Sequence, residues 1–401
     1  MPLSFFRHLN CFNCFRREQP EVIIATSTSY GNDSASRSAA SLEKHRSKLS
    51  SEKIVIETRP SSPPRTNPAL LVVGKRQYDI QESYPFPTLA HEGEVIVRTK
   101  AVGLNPIDWK SVEYGFCLPE FPWVTGREMA GVVEKVGSGV TDITVGQRVW
   151  TSTYYRDRRA GCFQHYVTVP QHTVLPIPTG MSFEEASCLG VAALTAAMSL
   201  WHWLEVAGSP TTEPQTIPKS GYLLIWGGST ITGQFAIQIA VLGGLKVIAV
   251  TSSKTAEVAK RLGASHVVIR DGKSGEELVS EIRAIAGDEL TRGIDLVGPE
   301  TASLCLTAFS TTQRVLFAPL AMISSKAEVP QNISVETVEM KQFVLNESSQ
   351  AYAHALNRLV EQGKLVLPEL TVLDGGLQRV VEGLERIKKG DMAGKKVIVR
   401  M

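Results

Sequence analysis

The chain has 401 residues, 43% of them hydrophobic, enough for two or three domains with substantial cores. Its 42 Lys and Arg against 40 Asp and Glu leave a net charge of +2 with no long basic block in the body of the chain, so nothing points to a nucleic-acid partner. No apolar run reaches the ~20 residues of a membrane span, and the six cysteines are too scattered for a disulfide framework, which fits a reducing, cytoplasmic setting.

Residues 1–66 differ from the rest. Ser and Thr crowd Thr26 to Ser51, and Pro60, Pro63, Pro64 and Pro68 form a Pro-rich joint. Such a segment cannot bury enough apolar surface to offset its ordering entropy and is expected to be disordered. Within residues 1–17, Phe5, Phe6, Phe12 and Phe15 sit among Arg7, Arg16 and Arg17, with no acid before Glu18. Three readings stand: an organelle-targeting peptide, a membrane-surface anchor with Cys11 and Cys14 as acylation sites, or a plain unstructured tail. Cys11 and Cys14 have metal-type spacing but no second pair follows, so zinc is not expected there.

From Asn67 the pattern becomes that of a folded domain. Ala69 to Val73, Glu94 to Val102, Glu128 to Val136 and Gln147 to Thr151 are rich in Val, Ile and Leu, with Gly and Pro between them. Short strands with frequent turn signals predict a compact β-rich domain. Ser182 to Glu205 has helical periodicity in two pieces and opens on a capping box, Ser182 with Glu185. The paired Trp201 and Trp203 around His202 are read as packing.

Tyr222 to Ala240 is then a buried strand, a small-residue turn and an apolar helix, the layout of a dinucleotide-phosphate site: a helix N-terminus offers free N–H groups to an anion. Gly227, Gly228 and Gly233 let backbone approach a pyrophosphate, although Thr230 and Ile231 stand where the familiar fingerprint has glycine. The turn by itself is equally compatible with any tight turn in a parallel sheet. Strands at Lys246 to Thr251, His266 to Ile269, Ile294 to Val297 and Val315 to Ala318 alternate with helices, predicting a doubly wound parallel α/β sheet with ligand at the carboxyl ends of the strands. At the end of the second strand, where an NAD site places a carboxylate, the sequence reads Thr251-Ser252-Ser253-Lys254. A lysine with two hydroxyls suits a 2′-phosphate, so NADP(H) is expected over NAD(H). Helices at Gln350 to Gln362 and Leu377 to Lys388 and strands near Leu370 and at Lys396 to Arg400 complete the chain.

The order of these parts, with Gly103-Leu-Asn-Pro-Ile-Asp-Trp-Lys110, Gly126-Arg-Glu-Met-Ala-Gly131, Val145-Gly-Gln-Arg-Val149, Gly161-Cys-Phe-Gln-His-Tyr-Val167, Ala193-Leu-Thr-Ala-Ala197 and Met392-Ala-Gly-Lys-Lys396, resembles the medium-chain dehydrogenase/reductase superfamily over residues 67–401. The resemblance implies a GroES-like β-rich catalytic domain over residues 67–186, a Rossmann NADP-binding domain over 187–346 and a return segment, 347–401, completing the first domain. It is similar to the zinc-free branch, because Arg127 stands where a zinc enzyme has His, no Cys ligand lies in Gly103 to Pro106, and a four-cysteine structural lobe is missing. Within that branch it resembles fungal quinone-oxidoreductase-like proteins and stand-alone enoyl reductases.

By resemblance, Asn105 and Lys110 lie at the active-site end of the β-rich domain, with Thr195 beside the nicotinamide. Gly227, Gly228, Ser229, Thr230, Ile231 and Thr232 would surround the pyrophosphate, and Ser252, Ser253 and Lys254 the adenosine end. Val297, Gly298, Phe317 and Ala318 would border the nicotinamide. Asp108 reads as a structural carboxylate, and Tyr154, Tyr155 and His165 as unranked proton donors. The implied activity is NADPH-dependent, metal-free hydride transfer to an activated C=C of a small or carrier-linked acyl substrate. Alternatives are a quinone reductase and a non-catalytic NADPH-binding protein of the crystallin or sensor type. A monomer or homodimer is expected, pairing through a late strand at Val338 to Leu345, with membrane contact only through residues 1–17.

Overall fold

The computed structural model describes residues 65–154, 156–211, 220–390 and 392–401. The expectations for the N-terminal extension fall on residues outside these, except at Arg65 and Thr66.

The chain opens with strands β1 (Ala69–Gly74), β2 (Gln77–Gln81) and β3 (Glu94–Gly103), helix α1 (Pro106–Tyr114), and strands β4 (Trp123–Val124), β5 (Glu128–Val136), β6 (Arg148–Ser152), β7 (Tyr166–Pro170) and β8 (Val174–Pro176). A helical run follows, with α2 (Phe183–Ala186) and α3 (Leu194–Met198) joined by a π-helical turn at Leu189–Ala193 and followed by another at Ser199–Trp203. The nucleotide-type half holds β9 (Tyr222–Trp226), α4 (Ile231–Leu242), β10 (Lys246–Thr251), α5 (Ala256–Arg261), β11 (His266–Ile269), α6 (Gly275–Ala286), β12 (Leu290–Asp295), α7 (Pro299–Ala308), β13 (Val315–Pro319) and β14 (Ile333–Val335). The last elements are α8 (Gln342–Leu345), α9 (Gln350–Glu361), β15 (Leu370–Asp374), α10 (Val380–Lys389) and β16 (Lys396–Arg400).

The β-rich half is a sheet in the order β15-β16-β3-β5-β6-β8, with β7 also on β3, beside a small sheet β2-β1-β4. β3 is central to it, pairing antiparallel with β5, β7 and β16. Two register shifts on the β3–β5 ladder, at Ile96/Val97 and Thr99/Ala101, bend the sheet around its core. Val95, Val97, Val133, Val149, Val167 and Val169 fill that core from alternate positions, as period-two patterning requires. The C-terminal strands β15 and β16 return to this sheet, Ile398 opposite Gly103, which carries the Lys395–Lys396 pair back to the start of α1.

The second half is a parallel sheet in the order β11-β10-β9-β12-β13-β14. In sequence rank this is 3-2-1-4-5-6, the doubly wound order with its switch point between β9 and β12. All five residues of β9 are buried because both faces are covered. Leu223 and Ile225 face one helix layer, and Tyr222, Leu224 and Trp226 the other.

The run Phe183–Trp203 is long and apolar enough by composition to cross a membrane, yet 72% of its apolar window is buried in the fold. Its capping box forms as the sequence predicts, with Ser182 Oγ accepting from Glu185 N at 3.2 Å and Ser182 N donating to Glu185 Oε2 at 2.8 Å. Trp201 packs, stacking on Tyr352 at 6.4 Å.

The segment Val338 to Leu345 is not a strand. The N–H groups of Leu345 and Asn346 turn back to the carbonyls of Lys341 and Gln342, making a helical turn that seats Phe343 fully in the core. The sheet edge is β14, further upstream.

A candidate active-site cleft between the two sheets

The glycine turn is held by tight backbone approach. Gly227 has φ +91°, in the left-handed region, and the N–H groups of Gly227 and Gly228 both donate to Val250 O at 3.1 Å. A Cβ on Gly228 would sit 2.7 Å from Ala249 Cβ, and one on Gly233 2.4 Å from Gly227 O. Thr230 needs no glycine-like freedom: its backbone is extended, and as the N-cap it accepts from Gly233 N through Oγ1 at 3.1 Å. The departure from the glycine fingerprint is thus a capped helix start. The caps and turn bonds account for Gly227, Gly228 and Gly233, so the anion-facing N–H groups of the helix end belong to Ile231 and Thr232.

A chain of hydroxyls ties this turn to the end of β10. Thr255 Oγ1 donates to Ser229 Oγ at 2.9 Å and lies 3.0 Å from Ser252 Oγ. Ser253 is engaged differently, its N–H and hydroxyl both donating to Asp271 Oδ2 at 2.7 and 2.6 Å. Lys254 is exposed, and Arg270, whose N–H donates to Thr251 O at 2.9 Å, joins it in acting on the Asp271 carboxylate. The hydrogen bonds from Ser253 hold that carboxyl below its usual range, with Arg270 and Lys254 adding to the effect.

The facing wall comes from the β-rich half. Asn105 caps the start of α1, Glu128 opens β5 and Lys396 opens β16, at 4%, 0% and 2% exposure. Lys396 Nζ donates to Glu128 Oε1 at 2.5 Å and Asn105 Oδ1 at 2.7 Å. Asn105 Nδ2 donates to the same Glu128 oxygen at 2.8 Å, while Glu128 Oε2 accepts from Val191 N at 2.6 Å. A buried carboxylate on an apolar strand requires such a partner set. Gln234 Nε2 bridges the halves by donating to Ser229 O at 3.0 Å and Gly394 O at 2.6 Å. Between the walls lies a cavity of about 310 Å³ lined by Ser229 to Thr232, Leu104 to Pro106, Met392 to Val397, Ala192, Leu296, Ile387 and Gly390. One end of it is therefore a helix N-terminus, which suits an anionic ligand, and the other a lysine whose charge is balanced by Glu128.

Thr195 does not line this cavity. It lines a neighbouring apolar one of about 360 Å³ with Pro319, Leu320, Met322, Ile323, Val338 and Met340, at the carboxyl end of β13. Ala192 and Thr195, one helical turn apart, place the two cavities side by side. Lys110 is on α1 outside both linings, its Nζ 5.9 Å from the Trp109 ring centroid. Val297 is half exposed, and its N–H and that of Gly298 donate to Asp295 Oδ1 at 3.1 and 2.9 Å.

Phe317 and Ala318 need correction as nicotinamide neighbours. Both are fully buried: alternation along β13 points Phe317 at Phe309, 5.1 Å between ring centroids, and Ala318 into the opposite helix layer. Pro319 and Leu320, just past them, reach the cavity instead.

Asp108 is structural, accepting from Asn105 N at 2.8 Å through Oδ2. Burial raises its pKa to about 6, against the opposing pull of Arg127. His165 is half-buried, its pKa lowered mainly by desolvation, and with Tyr154 it is absent from both linings. Tyr155 lies outside the described residues. Among the described residues no group of three His, Cys, Asp or Glu is arranged to hold a metal ion.

Sequence reasoning missed Glu128 and Lys396 as site residues. Both stand in motifs quoted above, and an acid inside the apolar run Glu128 to Val136 was the available signal, but its partner is 268 residues away.

Residues 91–179 match the model of the alcohol dehydrogenase GroES-like domain, and residues 232–361 that of the zinc-binding dehydrogenases. The chain is 30% identical over 355 residues to Dehydrogenase azaJ of Aspergillus niger, spanning 84% of this chain and 99% of that one. It is 28% identical over 369 residues to the trans-enoyl reductase thnE of Trichoderma harzianum, spanning 84% and 97%. Among solved structures, a quinone oxidoreductase of Pseudomonas syringae shares the fold at a TM-score of 0.69 and 22% identity, over 84% of this chain and all of the other.

Proposed function

Because this chain belongs to the medium-chain dehydrogenase/reductase superfamily of oxidoreductases, with enoyl reductases and quinone oxidoreductases among its relatives, we propose that it is an NADPH-dependent reductase of carbon–carbon double bonds conjugated to a carbonyl. The observation that carries this reading is the cleft itself: a helix N-terminus at the switch point of a parallel sheet faces Lys396 and Asn105 across one cavity. The residues fit a dinucleotide, since Gly228 and Gly233 pack too closely on Ala249 and the Gly227 carbonyl to carry side chains, and the tight turn they make leaves the helix N-terminus open to the cavity.

Gly227 to Thr232 hold the pyrophosphate, with the N–H groups of Ile231 and Thr232 as donors. Lys254 and Arg270 meet a 2′-phosphate at the adenosine end, which favours NADPH over NADH. Bound there, the nicotinamide supplies hydride. Thr195 and the apolar residues around it exclude water from the reacting carbon, and Asn105, fixed by Glu128 and Lys396, orients ligand groups in the cleft. A conjugated C=C carries its own electron sink, so this set works without a metal to polarise a carbonyl. The trans-enoyl reductases among the relatives support a small or carrier-linked enoyl substrate.

The test is binding followed by turnover. NADPH should raise the melting temperature and NADH much less. Enones or enoyl thioesters should be reduced, and the activity should survive exhaustive chelation. Turnover of benzoquinones but not enones would replace the reading with a quinone reductase, and binding without turnover would replace it with a non-catalytic NADPH-binding protein.

A further inference from the structure

Behind the apolar cavity at Thr195 lies a second, polar one of about 170 Å³ that the proposed reaction does not use. The two share Thr337 as a wall residue, and elsewhere the chain between Thr337 and Met340 divides them: Val338 and Met340 face the apolar side, and Glu339 the polar side. On the helix side, Thr195 lines the first cavity and Met198 and His202 the second, along one face of the run. Ala192, Thr195, Met198 and His202 thus roof three successive chambers, the first of them the cofactor-side cavity.

The far chamber is built for hydrogen bonding. The Tyr352 hydroxyl lies 3.3 Å from His202 Nδ1 and 3.1 Å from Thr211 Oγ1. The Tyr352 ring is itself fixed by stacking on Trp201. Thr337 borders both cavities, and Met198 lies on the polar side of the junction, where a methionine side chain can move aside for a ligand. From Thr195 to His202 is seven residues, about 10 Å of helix, the span of an acyl chain of roughly eight carbons.

We propose, resting on the reductase reading above, that the physiological substrate is an extended enone or enoyl chain. Its double bond sits in the apolar chamber at Thr195, and its distal end carries a hydroxyl or carbonyl received by Tyr352, His202 and Thr211. Tyr352, His202 and Thr211 already form one hydrogen-bonded network; a hydroxyl or carbonyl end can join it, whereas a methyl end offers it no hydrogen bond.

The experiment compares three enones with the NADPH-loaded protein: a four-carbon one, an eight-carbon one ending in methyl, and an eight-carbon one ending in a hydroxyl. The hydroxyl-terminated substrate should exceed its methyl analogue in kcat/KM by about five- to tenfold. Tyr352→Phe, which keeps the stacked ring, should bring that ratio to about one and leave the four-carbon rate unchanged. Equal use of the two long substrates, or equal losses on all three in Tyr352→Phe, would overturn the inference. If no enone is reduced at all, the reductase reading fails separately. Calorimetric binding of the two saturated eight-carbon ketones then decides the chamber's role: a hydroxyl preference that Tyr352→Phe removes upholds it, and identical affinities refute it.

Discussion

Replacing Glu128 by Gln tests the buried cluster that forms one wall of the cleft. The carboxylate is fully buried and accepts three hydrogen bonds, from Lys396 Nζ, Asn105 Nδ2 and Val191 N. An amide keeps the shape but removes the countercharge, stranding an ammonium that is 2% exposed, which costs about 3–5 kcal/mol. Whichever way the amide turns, its NH2 faces a donor, adding about 1 kcal/mol for the bond that cannot form. Against a typical total of about 5–15 kcal/mol, this is a large fraction of the stability. Adding Lys396→Met removes the stranded charge. The introduced amide's oxygen can then accept from Val191 N while its NH2 donates to Asn105 Oδ1, so the double variant should regain about 2–3 kcal/mol over the single one. Urea unfolding followed by tryptophan fluorescence gives both values from the shift in midpoint at unchanged slope. A Glu128→Gln protein within about 0.5 kcal/mol of the parent, or a double variant no more stable than the single one, would refute the reasoning.

Gly233→Ala places a methyl 2.4 Å from Gly227 O and must displace the turn, so NADPH affinity, followed by cofactor fluorescence, should fall at least tenfold. Lys254→Ala with Arg270→Ala should weaken NADPH about tenfold or more while leaving NADH unchanged; equal losses for both would show that no 2′-phosphate is read there. Asp108 supplies a pH signature. Its folded pKa, about 6, lies above the unfolded value near 3.9, so the native state binds the extra proton between them and this group's contribution falls as pH rises through that window. Asp108→Asn should flatten the melting-temperature profile between about pH 4 and 6, and an unchanged slope would show that another group carries it.

What the sequence determined is everything that depends on neighbours along the chain. The capping box at Ser182 and Glu185 and the strands from Glu128 to Val136 and from Lys246 to Thr251 follow from local spacing, and they form where the pattern puts them. The glycine turn was legible for the same reason: close approach to Ala249 and to its own helix admits only Gly at 228 and 233. Where two local patterns compete, sequence reading failed. Val338 to Leu345 looks like a strand by composition, but Phe343 reaches the core through a helical turn, and Phe317 and Ala318 follow strand alternation away from the cleft rather than into it. The site's far wall was decided only by tertiary structure. Lys396 meets Glu128 because β16 returns to pair with β3, and Thr195 and Leu320, far apart in sequence, line one cavity. Such pairings are set by which apolar faces bury against each other, a property of the whole chain that local spacing does not encode.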